Sequence, residues 1–241
     1  MPTRRSLYHY HSVNHSAVHR GLRHLALSIR SAIARGQVST EHSLVKLYVL
    51  LMAAWAETRL LKLIHEKDAF TVRERALLLN ESSQLPRWKA TIKKAFQKHY
   101  KTTRLNETTL GVANYARFAR MQEILDNEFA LIIELRNRLA HGQWVFLLNT
   151  SGDTVNECYM AAIGRENFVR LQYKKNVLFH MGAIIHNLVV SKPWFEEAFD
   201  THYRAILDSM RNLETRSYSE YRQQLRTKLQ RGRQRAALRN P

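Results

Sequence analysis

Residues that break helices are scarce in this chain of 241 residues, which contains 8 Gly and 4 Pro. Because glycine and proline end helices and form tight turns, their scarcity predicts long helices with few turns between them. Cysteine is scarcer still. Cys158 stands alone, which excludes an intramolecular disulfide framework and is typical of a protein from a reducing compartment.

Long hydrophobic runs are also missing. The longest, LYVLLMAAWA from Leu47 to Ala56, is about half of the ~20 residues needed to cross a bilayer. The N-terminal segment MPTRRSLYHYHSVNHSAVH contains basic residues but no apolar stretch of the kind found in signal peptides. We therefore expect a soluble, cytoplasmic protein that does not enter a membrane.

Acidic residues are heavily outnumbered. The chain has 20 Asp and Glu against 38 Lys and Arg, which gives a formal net charge of +18 at pH 7. A charge of this size attracts polyanions over long distances, so RNA, DNA, an acidic protein and an anionic membrane surface are all eligible partners. Among these we favour nucleic acid.

The positive charge is concentrated in two segments. From Arg211 to the C-terminus, nine basic residues stand against two glutamates. Residues 82–106 contain no acid, and Trp88, Phe96 and Tyr100 are interleaved with the basic residues. Both segments suit contact with a nucleic-acid backbone, although a solvated helix face and a frayed basic tail explain them equally well. The candidate RNA-binding residues are Arg87, Lys89, Lys93, Lys94, Lys98 and Lys101.

The spacing of apolar residues predicts an all-α chain. Helices are expected at residues 16–36, 39–67, 72–79, 86–99, 112–141 and 166–190, then from Pro193, and in a basic tail from residue 217. Residues 143–161 form two short apolar segments around the turn Thr150–Asp153. This pattern predicts a small β-hairpin or an irregular insertion.

The domain organisation follows from the same pattern, since no internal repeat or low-complexity linker divides the chain. We expect an N-terminal helical extension at residues 1–38 and a helical core at residues 39–192. C-terminal helices with the basic tail complete the chain at residues 193–241.

The second predicted helix has a carboxylate in its packing seam. The seam residues repeat with alternating spacings of three and four, as in helices that pack against a neighbour: Leu47, Leu50, Ala54, Glu57, Leu61 and Ile64. An ionised carboxylate buried without a partner costs several kcal/mol. We therefore expect Glu57 to contact a cation or a hydrogen-bond donor.

The stretch ELRNRLAHGQW, residues 134–144, ends an otherwise apolar helix with polar side chains. With about 100° between successive residues, Arg136 falls in the apolar stripe of Leu125, Phe129, Ile132, Leu139 and Ala140. Glu57 is its expected partner across the interface between the two helices. A buried Arg–Glu pair without any chemistry explains this geometry as well.

Asn137 and His141 lie one turn apart and share a second face, with Arg138 beside them. Arg136 and His141 are about 140° apart on an ideal helix, so a regular helix does not direct them at one point. Gly142 is a natural residue to end the helix, where the last turn is free to tighten or open. An imidazolium that complements the helix dipole would explain His141 alone.

The segment LRNRLAHG, with four residues between Arg136 and His141, resembles the signature of the HEPN superfamily. Asn137 matches the polar residue that directly follows the arginine in that signature. The likeness covers about residues 40–191 and is closest to the stand-alone bacterial groups. It implies a HEPN-like helical bundle with long antiparallel helices, and a homodimer in which two motif helices meet in a cleft. It also implies metal-independent endoribonuclease activity without a cofactor.

The chemistry implied by this resemblance suits the residues present. Attack of a ribose 2′-OH on its 3′ phosphate needs a base, an acid and positive charge on the intermediate. His141 would be the general base or acid, and two chains would supply both roles. Arg136 would stabilise the phosphorane, while Asn137 would orient the phosphate or the imidazole. Glu57 would hold Arg136 in place, with Arg138 as a second supporting residue.

The expected products are a 2′,3′-cyclic phosphate and a 5′-OH. The roles common in the superfamily imply a toxin or another antiphage defence effector, with an antitoxin or regulatory partner. The alternative is a non-catalytic HEPN-type module that binds RNA or a protein. The presence of Arg136, Asn137 and His141 together favours the enzyme, because a lapsed enzyme has no chemical need for all three.

Four histidines cluster near the N-terminus: His9, His11, His15 and His19. Three of them are spaced four apart, as metal ligands on a helix can be. Because no acid or cysteine is close, we favour a mobile, polar N-terminus over a metal site. The chain has neither a glycine-rich phosphate loop nor an HExxH motif, which argues against an NTPase or a zinc protease.

Overall fold

A computed structural model describes residues 4–190 and 195–237 of the chain. Every regular element in these ranges is helical, so the predicted all-α class is confirmed. A π-helical turn, Leu125–Phe129, joins two of the helices. The α-helices are α1 Arg4–Arg35, α2 Val38–His65, α3 Val72–Leu79, α4 Gln84–His99, α5 Glu107–Leu110, α6 Val112–Ile124, α7 Ala130–Ala140, α8 Glu157–Arg165, α9 Phe168–Val189, α10 Phe195–Thr215 and α11 Tyr218–Ala237.

The helices predicted near the N-terminus and near Pro193 differ from the prediction or lie outside the described residues. Helix α1 begins at Arg4 and not at Ser16, so the histidine-bearing segment is helical and the predicted mobile N-terminus is wrong. The restart at Pro193 and the predicted boundary between residues 192 and 193 lie outside the described residues. Because α1 packs along α2 and α10 packs against α9, both extensions contact the predicted core.

The segment after the motif helix is an irregular insertion. Leu148 and Val155 form a single antiparallel bridge, and no strand occurs in the described parts of the chain, so the alternative of a β-hairpin is not formed. Helix α8, in the second half of this segment, was not predicted from the sequence. Its N-cap is Asn156, whose side-chain oxygen accepts a hydrogen bond from the backbone N–H of Tyr159 at 3.0 Å. This cap starts a helix in residues that alternate like a strand.

Helix α2 lies at the centre of the bundle and packs against α1, α7 and α9. Its buried face includes Val45, Val49, Met52, Ala56 and Leu63. The predicted seam is only partly buried, because Ile64 is buried but the first seam residue, Leu47, is 40% exposed. A helix that contacts neighbours on several sides buries more than one stripe, so one set of three- and four-residue spacings does not identify its packing face.

A buried lysine joins three parts of the fold. Lys174 on α9 is 2% exposed, and its Nζ lies 2.6 Å from Glu166 Oε1, at the end of α8, and 3.1 Å from Glu128 Oε2, in the π-helical turn. Glu166 is also buried. Because each buried ion costs several kcal/mol without a partner, these charges constrain the three elements to approach one another.

A second buried carboxylate fastens the C-terminal helix. Glu41 on α2 is 2% exposed, and its Oε1 accepts a hydrogen bond of 2.6 Å from the Tyr218 hydroxyl. Burial, with the negative charge of Glu41, raises the pKa of Tyr218. Tyr218 therefore remains a donor, and this contact attaches α11 to α2. None of the described helices is long and apolar enough to cross a membrane.

Replacing Lys174 with Met should reduce the free energy of unfolding by about 3–5 kcal/mol, because Glu166 is left buried without its cation. Urea denaturation followed by far-UV circular dichroism measures this loss. The double variant Lys174→Met/Glu166→Leu should recover most of it, since both buried charges are then removed. Lys93→Met, at an exposed position of α4, should change stability by no more than about 0.5 kcal/mol. Equal losses in the two lysine variants would contradict the role of the buried cation.

Candidate active site at the end of helix α7

The end of α7 is closed by a glycine cap. Gly142 has φ 80°, in the left-handed region, and follows the C-cap residue His141. Its N–H donates to Leu139 O at 3.2 Å, and the N–H of Gln143 donates to Arg138 O at 3.1 Å. These two bonds form a Schellman motif, in which a left-handed residue satisfies the last carbonyls of a helix. The helix therefore ends where the glycine indicated.

Arg136 and Asn137 contact each other at the surface of this helix. Arg136 Nη1 donates a hydrogen bond of 3.0 Å to Asn137 Oδ1. The predicted partner Glu57 is also present, but its Oε2 lies 3.9 Å from Arg136 Nη2. The two side chains are 39% and 38% exposed, so the predicted buried pair is wrong. A pair this exposed contributes little stability and leaves the guanidinium accessible to a ligand.

The pattern of buried residues on α7 explains why Arg136 is partly exposed and does not lie inside the apolar stripe. Leu135 is fully buried, together with Ile132 and Leu139, whereas Ala140 is exposed. Including Leu135 moves the centre of the apolar stripe away from Arg136. Because Arg136 is about 100° round the helix from Leu135, it lies at the edge of the buried face.

His141 is exposed at the last turn of α7. Its backbone N–H donates to Asn137 O at 3.1 Å and to Arg138 O at 3.2 Å, which completes the helix. No hydrogen bond joins its imidazole to another side chain within residues 4–190 and 195–237. Arg136, Asn137 and His141 thus occupy one end of one helix, but among their side chains only those of Arg136 and Asn137 are hydrogen-bonded to each other.

A π-helical turn precedes the motif and was not foreseen. The N–H of Ala130 bonds to Leu125 O, five residues back, which defines the turn. Such turns insert one residue into a helix and are frequent at functional sites. Here the turn carries Glu128, which bonds to the buried Lys174. Apolar spacing does not reveal it, because the buried residues on both sides of the turn keep an ordinary helical pattern.

Side chains around the motif hold the insertion in place. Arg138 donates to Asn149 O at 2.8 Å and lies over the ring of Tyr159, with its Cζ 5.1 Å from the ring centroid. The indole of Trp144 donates to Leu139 O at 3.0 Å. Lys46 of α2 donates to the carbonyl of Trp144 at 2.5 Å. Arg138 therefore supports the loop after the motif, and Lys46 is a further cation beside the motif that the sequence pattern did not indicate.

Two contacts define the relative direction of α2 and α7. Arg136 lies near Glu57, and the carbonyl of Trp144 accepts a hydrogen bond from Lys46. The later residue of the α7 segment contacts the earlier residue of α2, so the two helices are antiparallel. This arrangement brings the end of α7 towards the start of α2.

The candidate RNA-binding residues divide into two groups. Three make contacts within the protein: Arg87 donates to Glu81 O, Lys89 lies 2.8 Å from Asp126 Oδ2, and Lys98 lies 3.4 Å from Glu74 Oε2. Lys93 and Lys101 are exposed, and Lys94 is half-buried. The interleaved aromatics Trp88 and Phe96 are buried in the core, and Tyr100 stacks on Phe96. They are therefore not an exposed platform for stacking bases.

The N-terminal histidines contact α2. His15 Nδ1 lies 3.3 Å from the Thr58 hydroxyl, and the ring of His11 lies 4.7 Å from that of His65. Burial, with the nearby Arg59, lowers the pKa of His15 to about 4. Among the described residues, no group of three or more His, Cys, Asp or Glu side chains is arranged to hold a metal ion.

Comparison of the chain with protein-family models, curated proteins and solved structures finds no match.

Gly142→Ala should lower the free energy of unfolding by about 1 kcal/mol, because an L-residue is strained at φ 80°. No heavy atom lies within 4 Å of the added Cβ, so the loss comes from the backbone and not from a steric clash. Urea denaturation measures the loss, and amide exchange at Gln143 should become faster as the cap loosens.

Gly164→Ala is the matched control, since Gly164 lies inside α8 and also has open space around its Cβ. It should stabilise the protein by up to about 1 kcal/mol, because alanine favours helix more than glycine does. If Gly142→Ala were as stable as the parent, the left-handed cap would not be needed to end α7.

Proposed function

We propose that this protein is a metal-independent endoribonuclease of the HEPN type. The observation that carries the proposal is the end of α7, where Arg136 and Asn137 are hydrogen-bonded at 3.0 Å and His141 is exposed one turn later. Burial of the opposite face of α7 requires none of these three polar side chains. Together they offer a cation, an amide and an imidazole at the surface, as transphosphorylation of RNA needs.

The reaction is the attack of a ribose 2′-oxygen on the adjacent phosphorus. His141 takes the 2′-OH proton as the P–O2′ bond forms. Arg136 donates to the phosphorane oxygens, with Asn137 orienting the guanidinium and the phosphate. His141 of the partner subunit gives a proton to the 5′-oxygen as the P–O5′ bond breaks. The products are a 2′,3′-cyclic phosphate and a 5′-OH, and no cofactor takes part.

A homodimer is part of this proposal because one protomer has one motif histidine. Val145 and Phe146, which follow the motif closely, are 70% and 61% exposed. Apolar side chains this exposed beside a candidate site suit contact with another protein surface. Two copies packed there would bring two ends of α7 into one cleft.

RNA is favoured as the substrate by charge as well as by chemistry. The net charge of +18 attracts a polyanion, and the exposed Lys93 and Lys101 remain available to contact its phosphates. Glu57 keeps a supporting role, since its 3.9 Å approach restrains the guanidinium of Arg136 without burying it. The HEPN resemblance suggests a cytoplasmic toxin or antiphage defence effector controlled by an antitoxin or another partner.

The protein should cleave RNA in the presence of EDTA, and His141→Ala should reduce the rate by about 10²–10⁴-fold by removing the proton-transfer group. Arg136→Ala should also reduce it strongly, because charge on the intermediate is then uncompensated. Labelled RNA with analysis of the product ends measures rate and chemistry together. His24→Ala, at an exposed position of α1, is the control and should leave the rate unchanged.

RNA that survives in EDTA, or cleavage that is equally fast in His141→Ala, would overturn the proposed mechanism. If the parent does not cleave but still binds RNA as tightly as His141→Ala does, the alternative of a non-catalytic binding module replaces the enzyme.

Mixing parent and His141→Ala subunits tests the composite site. A heterodimer holds one imidazole where the reaction needs two, so activity should follow the square of the parent fraction. After subunit exchange at equal amounts, about a quarter of the activity should remain, whereas independent protomers would keep about half. A linear dependence on the parent fraction would show that each protomer acts alone.

A further inference from the structure

An open cavity lies between α2, α7, α8 and the insertion that follows α7. Its volume is about 260 Å³, just below the ~300–1,000 Å³ of sites for drug-sized ligands, so it suits a small molecule. Packing at the centre of the bundle is tight by contrast, and the gap between α2, α4 and the π-helical turn is only about 10 Å³. The cavity is therefore not a general consequence of loose helix packing.

The walls of the cavity are apolar and held in place. The indole of Trp144 donates to Leu139 O at 3.0 Å, and the backbone N–H of Leu147 donates to the sulfur of Met160 at 3.3 Å. These bonds fix the walls, so the space exists before a ligand enters. The apolar lining consists mainly of Val45, Leu139, Trp144, Leu147, Met160 and Ile163.

Two polar side chains of α2 also line the cavity. His42 and Lys46 are one turn apart and therefore lie on the same face of the helix. The half-buried Lys46 donates one hydrogen bond to the carbonyl of Trp144. An ammonium has three donors, so two N–H groups remain for a ligand. Among residues 4–190 and 195–237, Lys46 forms no ion pair with a carboxylate.

One carboxylate lines the cavity as well, but it already has a cation. Glu166 Oε1 lies 2.6 Å from Lys174 Nζ, and the side chain of Glu166 is only 2% exposed. Its Oε2 is buried and has no hydrogen-bond partner in the described part of the chain. A ligand with an ammonium group is therefore the competing occupant. The accessible, unpaired charge is nevertheless that of Lys46, which favours an anion.

A structural role for Lys46 alone does not explain this arrangement. Its bond to Trp144 fastens the insertion to α2, and that contact needs neither an adjoining cavity nor a second donor. His42 places an imidazole N–H beside the ammonium at the same cavity. A pair of donors next to apolar walls is complementary to a molecule that is charged at one end and apolar at the other.

We propose that this cavity binds a small apolar carboxylate, with the carboxylate group at His42 and Lys46 and the apolar body along the walls. The carboxylate accepts charge-assisted hydrogen bonds, and removing the apolar body from water supplies the remaining favourable free energy. The cavity contains none of the three motif residues, so binding does not depend on RNA cleavage. Because Leu139 and Trp144 stand on either side of the end of α7, the ligand would contact both the motif helix and the insertion.

Isothermal titration calorimetry of the full chain tests the chemistry of the ligand. The probes are phenylbutyrate, phenylbutanol, phenylbutylamine and acetate, each at the same pH and ionic strength. Phenylbutyrate should bind saturably at one site per chain, and phenylbutanol should bind about tenfold more weakly because it has no charge. The amine and acetate should not bind detectably.

Each probe also has an outcome that would overturn the proposal. If phenylbutanol binds as tightly as phenylbutyrate, the cavity recognises only the apolar body. Tighter binding of phenylbutylamine would make Glu166 the anchor, and equally tight binding of acetate would mean that the walls take no part. Absence of phenylbutyrate binding would remove the site.

The indole N–H signal of Trp144 locates the bound ligand by nuclear magnetic resonance. It should shift on titration with phenylbutyrate, and Trp144→Phe assigns the signal by its loss. The indole signal of Trp88, which is buried outside the cavity, should not shift. A bound ligand that leaves the Trp144 signal unchanged would lie elsewhere, which would overturn the location.

Lys46→Met should weaken phenylbutyrate binding about tenfold, because the ammonium is lost. It should leave phenylbutanol binding unchanged, measured through the Trp144 signal, because the walls remain. Lys62→Met removes the same charge from α2 outside the cavity and should leave both ligands unaffected. Equal weakening in the two lysine variants would mean that phenylbutyrate responds only to net charge. Loss of phenylbutanol binding in Lys46→Met would mean that Lys46 only holds the insertion, and either result would overturn the proposal.

Discussion

The buried ammonium of Lys174 is the constraint on which the candidate site depends. It draws together Glu128 of the π-helical turn and Glu166 at the end of α8, so the start of α7 and the element after the insertion are both held against α9. Charges at such depth are stable only with their partners in place. The position of α7 is therefore determined by an electrostatic contact as well as by its apolar face.

From that starting point, α7 runs antiparallel to α2 and ends at a glycine cap that leaves His141 in solvent. The insertion that follows is held by Arg138 and Lys46, which bind backbone carbonyls. These two cations thus have structural contacts, while Arg136 is only loosely restrained by Glu57. A guanidinium with a long, exposed ion pair is well suited to exchange its carboxylate for a phosphate.

Much of the fold follows from local patterns. Helix α3 has the predicted bounds, and Gly142 ends α7 because glycine adopts a left-handed conformation at little cost. The predictions were wrong where contacts between helices decide which side chains are buried. Apolar spacing placed Arg136 inside a stripe that Leu135 fills, and it placed Glu57 in a seam that is only partly buried. A helix with several neighbours has no single apolar face to detect.

The sequence by itself determined the helical class, the end of the motif helix and the nearness of Arg136, Asn137 and His141 along one chain. These properties depend on residues within a few turns of one another. Only the tertiary structure decided which charges are buried, how α2 and α7 align, and that His42, Lys46 and Met160 line one cavity. Those outcomes depend on contacts between residues far apart in the chain, whose burial and pairing no local pattern records.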